Sequence, residues 1–340
     1  VRILLIKLKH IGDSLLLTSA TRAIRQQYPD AEISVLVRKG CEGILAGATS
    51  IDQVHTSVAP ESDNRDLGSH LNEFKQILQL RRQRYDVILE LTRGDRGRWW
   101  ALALRGECKA TYETKSGTAF WGRVFDESHP APSPLTSHAV CQDYDLVQRV
   151  LKLKQESPEP LEFNRERADL SFVVSEGVVL IHPATRWKRK QWPEANWKTL
   201  IEALTTKGER VVLSSGPDAP EVGLCRRLAD EFDAEQVIFT GGQLSWAQLA
   251  GVLYRAKAFI GVDTAAMHLA AACGTPTVGL FLPWIAPMWY PWGVRHEVVF
   301  AEGYPIQASV ELNDLSKAVA AMEAIMPEQV LGALRRLVEP

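Results

Sequence analysis

The chain has 340 residues, 46% of them hydrophobic and 24% charged, with a formal net charge of -2. Such a composition belongs to a soluble globular protein with apolar material for two cores, and two domains are expected at this length. The slight negative balance excludes a general nucleic-acid binder, which needs a basic excess, but leaves room for a local basic patch.

No run of about 18 apolar residues occurs, so no transmembrane helix is expected. The chain opens directly on a strand-like run, so no signal peptide is expected and the cytoplasm is the expected compartment. Cys41, Cys108, Cys141, Cys225 and Cys273 are scattered, with no C-x-x-C pair and no zinc-like spacing. They read as free thiols in a reducing compartment.

Residues 1–6 predict a strand and 7–12 a polar loop. Leu15, Leu16, Ala20, Ala23, Ile24 and Tyr28 recur at helical spacing until Pro29 stops the helix. Strands are expected at 32–37 and, weakly, around Val54. Phe74, Ile77, Leu78 and Leu80 mark a helix that runs into the basic 81–84, followed by a strand at 85–91 and a helix through Trp99, Trp100, Ala103 and Leu104. Residues 112–137, rich in Gly, Pro and Ser, read as a long irregular loop. A helix at 138–153 and a linker at 155–167 close this half. The second half restarts the alternation. Its strands are expected at 177–181, 210–213, 237–239, 258–262, up to 281 and near 298–300, with terminal helices at 319–325 and 330–337. This β-α repetition predicts an α/β protein with two open, mostly parallel sheets. Such sheets bind ligands beyond the carboxyl ends of their strands, here in a cleft between two domains.

Four loops carry candidate chemistry. The first is Lys9-His10-Ile11-Gly12-Asp13-Ser14. Asp13 at a helix start is either an N-cap or a general base, and Gly12 lets backbone approach a ligand closely. No G-x-G-x-x-G occurs, so a nicotinamide-type fingerprint is absent. The second, 182–193, places Arg186, Lys188, Arg189 and Lys190 within five positions, with the Thr185 hydroxyl beside them. It suits a phosphate through charge-assisted bonds, or is simply a solvated basic loop. The third holds Glu221, a partner for a ribose or a helix-start acid. The fourth, 259–276, ends a strand in Asp263, expected to cap a helix and leave the amides of Thr264, Ala265 and Ala266 facing an anion. His268 lies one turn on. The aromatic loop at 282–293 reads either as a wall against a sugar or base or as a domain-interface plug. Asp143 and Asp145 imitate a metal-holding Asp-x-Asp, but inside a helical pattern they are expected on a solvated face. Arg81, Arg82 and Arg84 sit at a helix end, where cations favour the dipole. By charge and position, Lys9, Arg93, Arg96, Arg98, Trp99 and Trp100 are candidates for contact with an anionic ligand.

Four motifs run through nearly the whole chain. They are Lys7-x-x-x-x-Gly12-Asp13 followed by Leu16-Leu17-Thr18; Tyr85-Asp86-Val87-Ile88-x-x-Leu91-Thr92; Lys190-x-Trp192-Pro193; and Gly261-Val262-Asp263-Thr264-x-x-x-His268-x-x-Ala271-Ala272. Together they resemble the ADP-heptose:lipopolysaccharide heptosyltransferases, glycosyltransferase family 9, which have the GT-B fold. Trp289-x-Pro291-Trp292 and Thr92 look most like the branch that adds the third heptose of the inner core.

The resemblance implies an acceptor domain at 1–165, a nucleotide-sugar domain at 166–312 and C-terminal helices at 313–340. It implies inverting transfer of heptose from ADP-L-glycero-D-manno-heptose to lipid A–core oligosaccharide. Asp13 would deprotonate the acceptor and Lys190 would stabilise the leaving pyrophosphate. Gly12, Thr185, Arg186, Glu221, Asp263, Thr264, Ala265, Ala266 and His268 would bind the donor. No metal or cofactor is implied, and the enzyme is expected as a monomer touching the inner leaflet transiently. Leu282-Pro283-Trp284-Ile285 stands where relatives usually have Gly-x-Thr-Asp, and Ala265 stands where Gly is frequent. Two rival readings are a nucleotide-sugar epimerase of similar fold and a non-catalytic nucleotide-sugar binding subunit.

Overall fold

The computed structural model describes residues 1–57, 67–114, 118–133, 136–304 and 314–338; for 67–70 and 118 it describes backbone only. The chain divides into two compact units, Val1–Glu162 and Phe163–Pro340. The break falls inside the predicted linker, three residues before the expected boundary.

The first unit runs β1 (Arg2–Lys7), α1 (Ile11–Gln27), β2 (Glu32–Arg38), β3 (Gln53–Ser57), α2 (Leu67–Gln83), β4 (Tyr85–Glu90), α3 (Asp95–Ala103), β5 (Gly106–Tyr112), α4 (Thr118–Trp121), β6 (Glu127–His129) and α5 (Ala139–Leu151). Its strands form one sheet in the order β3-β2-β1-β4-β5-β6, and every pair is parallel. Strands covered on both faces need continuous apolar runs, and β1 after Arg2 is buried throughout. Ile6, Ile88, Trp100, Leu104, Trp121 and Phe125 build the core on one side of the sheet. On this winding the strand order reverses between β1 and β4, the place where open α/β sheets bind ligands.

The region expected to be irregular from 112 to 137 contains the end of β5, then α4 and β6. β6 is three residues long and polar at the sheet edge, and β5 is only partly buried in its first half. Neither carries the apolar run that identifies a strand by sequence. Residues 115–117 and 134–135 of that loop lie outside the described residues.

The second unit runs β7 (Val178–His182), α6 (Glu194–Thr206), β8 (Val211–Leu213), α7 (Ala219–Ala229), β9 (Val237–Phe239), α8 (Trp246–Leu253), β10 (Ala256–Val262), α9 (Ala265–Ala272), β11 (Thr277–Leu280), α10 (Ala286–Trp289), β12 (His296–Val299), α11 (Leu315–Glu323) and α12 (Pro327–Val338). The sheet order β12-β11-β10-β7-β8-β9 repeats the first unit's winding, and all its pairs are parallel. Here the order reverses between β7 and β10. Gly261 lies opposite His182 at that junction. A Cβ on Gly261 would stand 2.8 Å from the Phe259 ring and 3.0 Å from the His182 carbonyl oxygen, so the close pairing there needs glycine. The terminal helix α12 packs on β10, β11, β12 and α6, as part of this unit rather than as a separate body.

Candidate active site

In the first unit, Lys7 ends β1 and is almost wholly buried. Its ammonium donates to both carboxylate oxygens of Asp143, at 2.6 and 2.7 Å. The expectation of a solvated Asp143 is therefore corrected. Val140, Asp143, Tyr144 and Val147 share the buried face of α5, and the carboxylate is there because a buried lysine needs a counter-charge. The Leu8 amide donates to the Thr92 hydroxyl at 3.0 Å, and that hydroxyl donates to the Ile6 carbonyl at 3.3 Å. These bonds tie the loop after β1 to the loop after β4.

Helix α1 starts one turn ahead of Asp13. The N-cap is His10, and Asp13 is the third helical residue, buried, its carboxylate accepting from the His10 amide at 3.3 Å. The N-cap reading of Asp13 gives way to a reciprocal cap: the side chain reaches back to the cap residue. One long bond leaves most of the carboxylate's acceptor capacity unused, which suits a base. Lys9 is held below the usual lysine range, chiefly by burial and then by the Lys7 charge, with Asp13 and Asp143 opposing. Arg93 also acts on Lys9. Arg93 adopts a left-handed backbone, φ 59°, a conformation that costs a non-glycine residue about 1–2 kcal/mol. Its guanidinium lies over the Tyr112 ring, 4.4 Å from the centroid, and donates to Gln142 at 2.9 Å. Asp13, Lys9 and Arg93 thus form one charged cluster at the strand-order reversal.

The other acceptor candidates have partners of their own. Arg98 is buried, donates to the Tyr112 carbonyl at 3.3 Å and lies over the Trp121 ring. It also offsets Glu90, whose carboxyl burial pushes up and which the Thr111 and Thr92 hydrogen bonds pull back. Arg98 and Trp100 are both buried. Arg96 pairs with Glu73 of α2 at 3.3 Å. Trp99 is exposed, packs tilted against Phe120 and meets Trp121 edge-on.

In the second unit, the loop after β7 makes a 3-10 turn at Lys188–Lys190. Trp192 anchors the turn: its indole donates to the Ile325 carbonyl at 2.9 Å and meets Trp197 edge-on at 4.7 Å. Helix α11 packs behind the turn. Lys190 is thereby aimed at the end of β10, where its ammonium donates to the Asp263 carboxylate at 2.6 Å. Asp263 is not the cap of α9 as expected. Thr264 is the N-cap and makes no side-chain cap bond. Its hydroxyl is buried with no hydrogen-bond partner among the described residues, beside the free amides that begin a helix. The His268 ring lies 4.0 Å from Asp263 and 6.1 Å from the Trp289 ring. Thr185 is buried, and its hydroxyl accepts from the Trp187 amide at 3.3 Å.

Arg186 lies over the Trp187 ring and acts on Glu221. Glu221 accepts from the Gly216 amide at 3.0 Å. Burial raises the Glu221 carboxyl, with that amide and Arg186 opposing. His182 is neutral, held down to about 4 by burial, and bonds Ser214 at 2.9 Å. Leu282, Trp284 and Ile285 are buried, and Tyr290 stacks on His296 at 5.3 Å. Within this unit the Trp289 ring lies near His268. Among the described residues no three His, Cys, Asp or Glu come together as a metal site.

A cation, a hydroxyl and a helix N-terminus gathered where a parallel sheet reverses its order make an arrangement chemically able to hold a phosphate. Residues 74–319 match the family described as "Glycosyltransferase family 9 (heptosyltransferase)". The chain belongs to this family. It is a glycosyltransferase, built as two Rossmann-like α/β units. Lipopolysaccharide heptosyltransferase 3 of Escherichia coli is 27% identical to it, over 94% of this chain and 98% of that protein. The protein of the same name from strain K12 is 25% identical, over 97% and 96%. Among solved structures, E. coli heptosyltransferase WaaC with ADP-2-deoxy-2-fluoro heptose superposes with a TM-score of 0.80 over 99% of both chains, at 20% identity. The likeness to that structure is one of fold.

Two features escaped the sequence. The Lys7–Asp143 pair joins residues 136 positions apart; the visible signal was a lysine ending a fully apolar strand. Lys190 and Asp263 were each singled out, but their pairing was not.

Proposed function

We propose that the enzyme transfers heptose, with inversion, from ADP-L-glycero-D-manno-heptose to a heptose of the lipopolysaccharide inner core. The observation that carries the reading is the Lys190–Asp263 pair beside the free start of α9. A diphosphate leaving group needs a placed cation and amide donors as its charge develops. On this reading Lys190, Thr264 and the amides of Ala265 and Ala266 hold the pyrophosphate. Thr185 and Arg186 flank it, Glu221 takes the ribose, and His268 with Asp263 faces the sugar.

Asp13 removes the proton from the acceptor hydroxyl as its oxygen bonds the anomeric carbon. The bond from that carbon to the pyrophosphate oxygen breaks, ADP leaves, and the proton stays on Asp13. Gly12 keeps the approach to Asp13 open, and Lys9 and Arg93 meet phosphates on the acceptor. The acceptor's lipid places the enzyme at the cytoplasmic face of the inner membrane, as a peripheral monomer. The names of its relatives support the substrate class: two of them, matched over nearly the whole chain, are lipopolysaccharide heptosyltransferases.

The test is a screen of nucleotide-sugars against defined truncated lipopolysaccharides, read by product mass. Gain of one heptose from ADP-heptose supports the proposal. Gain of a different sugar, or turnover of the donor without acceptor, overturns it.

A further inference from the structure

Helix α2 is amphipathic in the wrong sense for a helix with one packed face. Its inner side is accounted for: Glu73 pairs with Arg96, Ile77 packs against the core, and Leu80 is buried. Its outer side carries Leu71, Phe74 and Leu78, at helical spacing, 52%, 57% and 41% exposed. Three large apolar side chains on the solvent face of a surface helix are a cost unless something covers them. Lys75 and Arg82 lie four and eleven residues after Leu71, on the same face. Both are exposed, as are Arg81, Arg84 and Arg105. Arg81 donates to the Ala103 carbonyl at 2.9 Å, which draws the basic ends of α2 and α3 together. Arg96 faces α2 through Glu73, and Trp99 follows one turn later on the same side of α3. Trp99 is 55% exposed and packs at a tilt against Phe120, itself 46% exposed.

We infer that this face of the first unit docks onto an anionic lipid bilayer. An apolar stripe with an aromatic neighbour, bordered by cations on one helix, is the pattern of a segment lying in the plane of a membrane interface. The cations meet lipid phosphates while the apolar side chains enter the acyl boundary. A second copy of the chain fits less well. A two-fold dimer through this face would oppose the stripe's basic borders to themselves. Among the described residues no helix is long and apolar enough to cross a membrane, so contact through this face is peripheral. The docking follows from α2, α3 and α4 alone. That the bilayer is the one holding the sugar acceptor rests on the function proposed above.

The test is flotation of the full chain with vesicles of phosphatidylglycerol and phosphatidylcholine, or of phosphatidylcholine alone, without donor or acceptor. The expected result is binding to the anionic vesicles that falls with salt and is weak on the neutral ones. Phe74→Ser with Leu78→Ser should lose about tenfold in binding, and Lys75→Gln with Arg82→Gln should flatten the salt dependence. Thermal melts of each variant check that the fold is kept, and transfer to a deacylated, water-soluble core acceptor should be unchanged. Absence of vesicle binding, or equal binding by the Phe74/Leu78 variant, overturns the docking. So does concentration-dependent dimerisation abolished by that variant without any vesicle binding. Vesicle binding without any heptose transfer leaves the docking standing and overturns the function.

Discussion

Lys190 and Asp263, 73 residues apart, meet at 2.6 Å across the point where the second sheet reverses its strand order. The pair joins the loop after β7 to the loop after β10. It holds the one lysine of the 188–190 turn that bonds a carboxylate among the described residues beside the start of α9. In the free enzyme Asp263 orients the ammonium and neutralises it; a bound diphosphate would share that charge.

Removing the cation should therefore damage the reaction more than the fold. Lys190→Ala is expected to lower kcat by about 10²–10³, the cost of deleting one preorganised donor to a developing anion. Thermal stability should stay near wild type. Steady-state transfer assays and melting curves check both.

Asp263→Asn should split binding from catalysis. Without its counter-charge, Lys190 carries more free charge toward ADP but is less well placed. ADP affinity is expected to hold or rise while kcat falls, measured by calorimetry and transfer rate. A parallel loss of both would make Asp263 a direct ligand of the nucleotide.

The Lys7–Asp143 pair is expected to matter for stability. Asp143→Ala leaves a buried ammonium without its partner and should cost about 3–5 kcal/mol in denaturant unfolding. Lys7→Met combined with Asp143→Leu should recover most of that loss, because no charge remains to be solvated.

His182 supplies a pH dependence with a definite sign. Its folded value is about 4, below the ordinary 6.5, so the unfolded chain binds the proton that the folded chain refuses. This contribution to stability is present above about pH 6.5 and is lost as pH falls from there toward about 4. Between pH 7 and pH 5 the loss is on the order of 2 kcal/mol. Unfolding free energies of the wild type and His182→Gln should diverge at pH 7 and converge by that amount at pH 5.

The alternation of strands and helices was legible because parallel strands buried on both faces need continuous apolar runs. β1, β7 and β10 supply them. β5 and β6 escaped because edge and half-buried strands tolerate polar residues. In the candidate site, the loops were legible because chemistry gathers after strands, but the partners were not. The charge of Asp143 points to a solvated face, whereas α5 buries it, and the burial of Lys7 explains why a carboxylate is tolerated there. Asp263 read as a cap because acids favour helix starts. The fold instead gives it to a lysine from another loop and leaves Thr264 at the cap position. Arg98 read as a ligand contact by its charge, yet it balances the buried Glu90. Arg98→Ala should accordingly lower the melting temperature without changing the acceptor KM.

The proposed heptose transfer depends on Asp13 as its base. The most direct measurement is the single-turnover rate of Asp13→Asn with ADP-heptose and a truncated inner-core acceptor, with ADP affinity measured alongside. Transfer is expected to fall by a factor of about 10²–10⁴ with ADP affinity intact. Transfer at the wild-type rate by Asp13→Asn would contradict it.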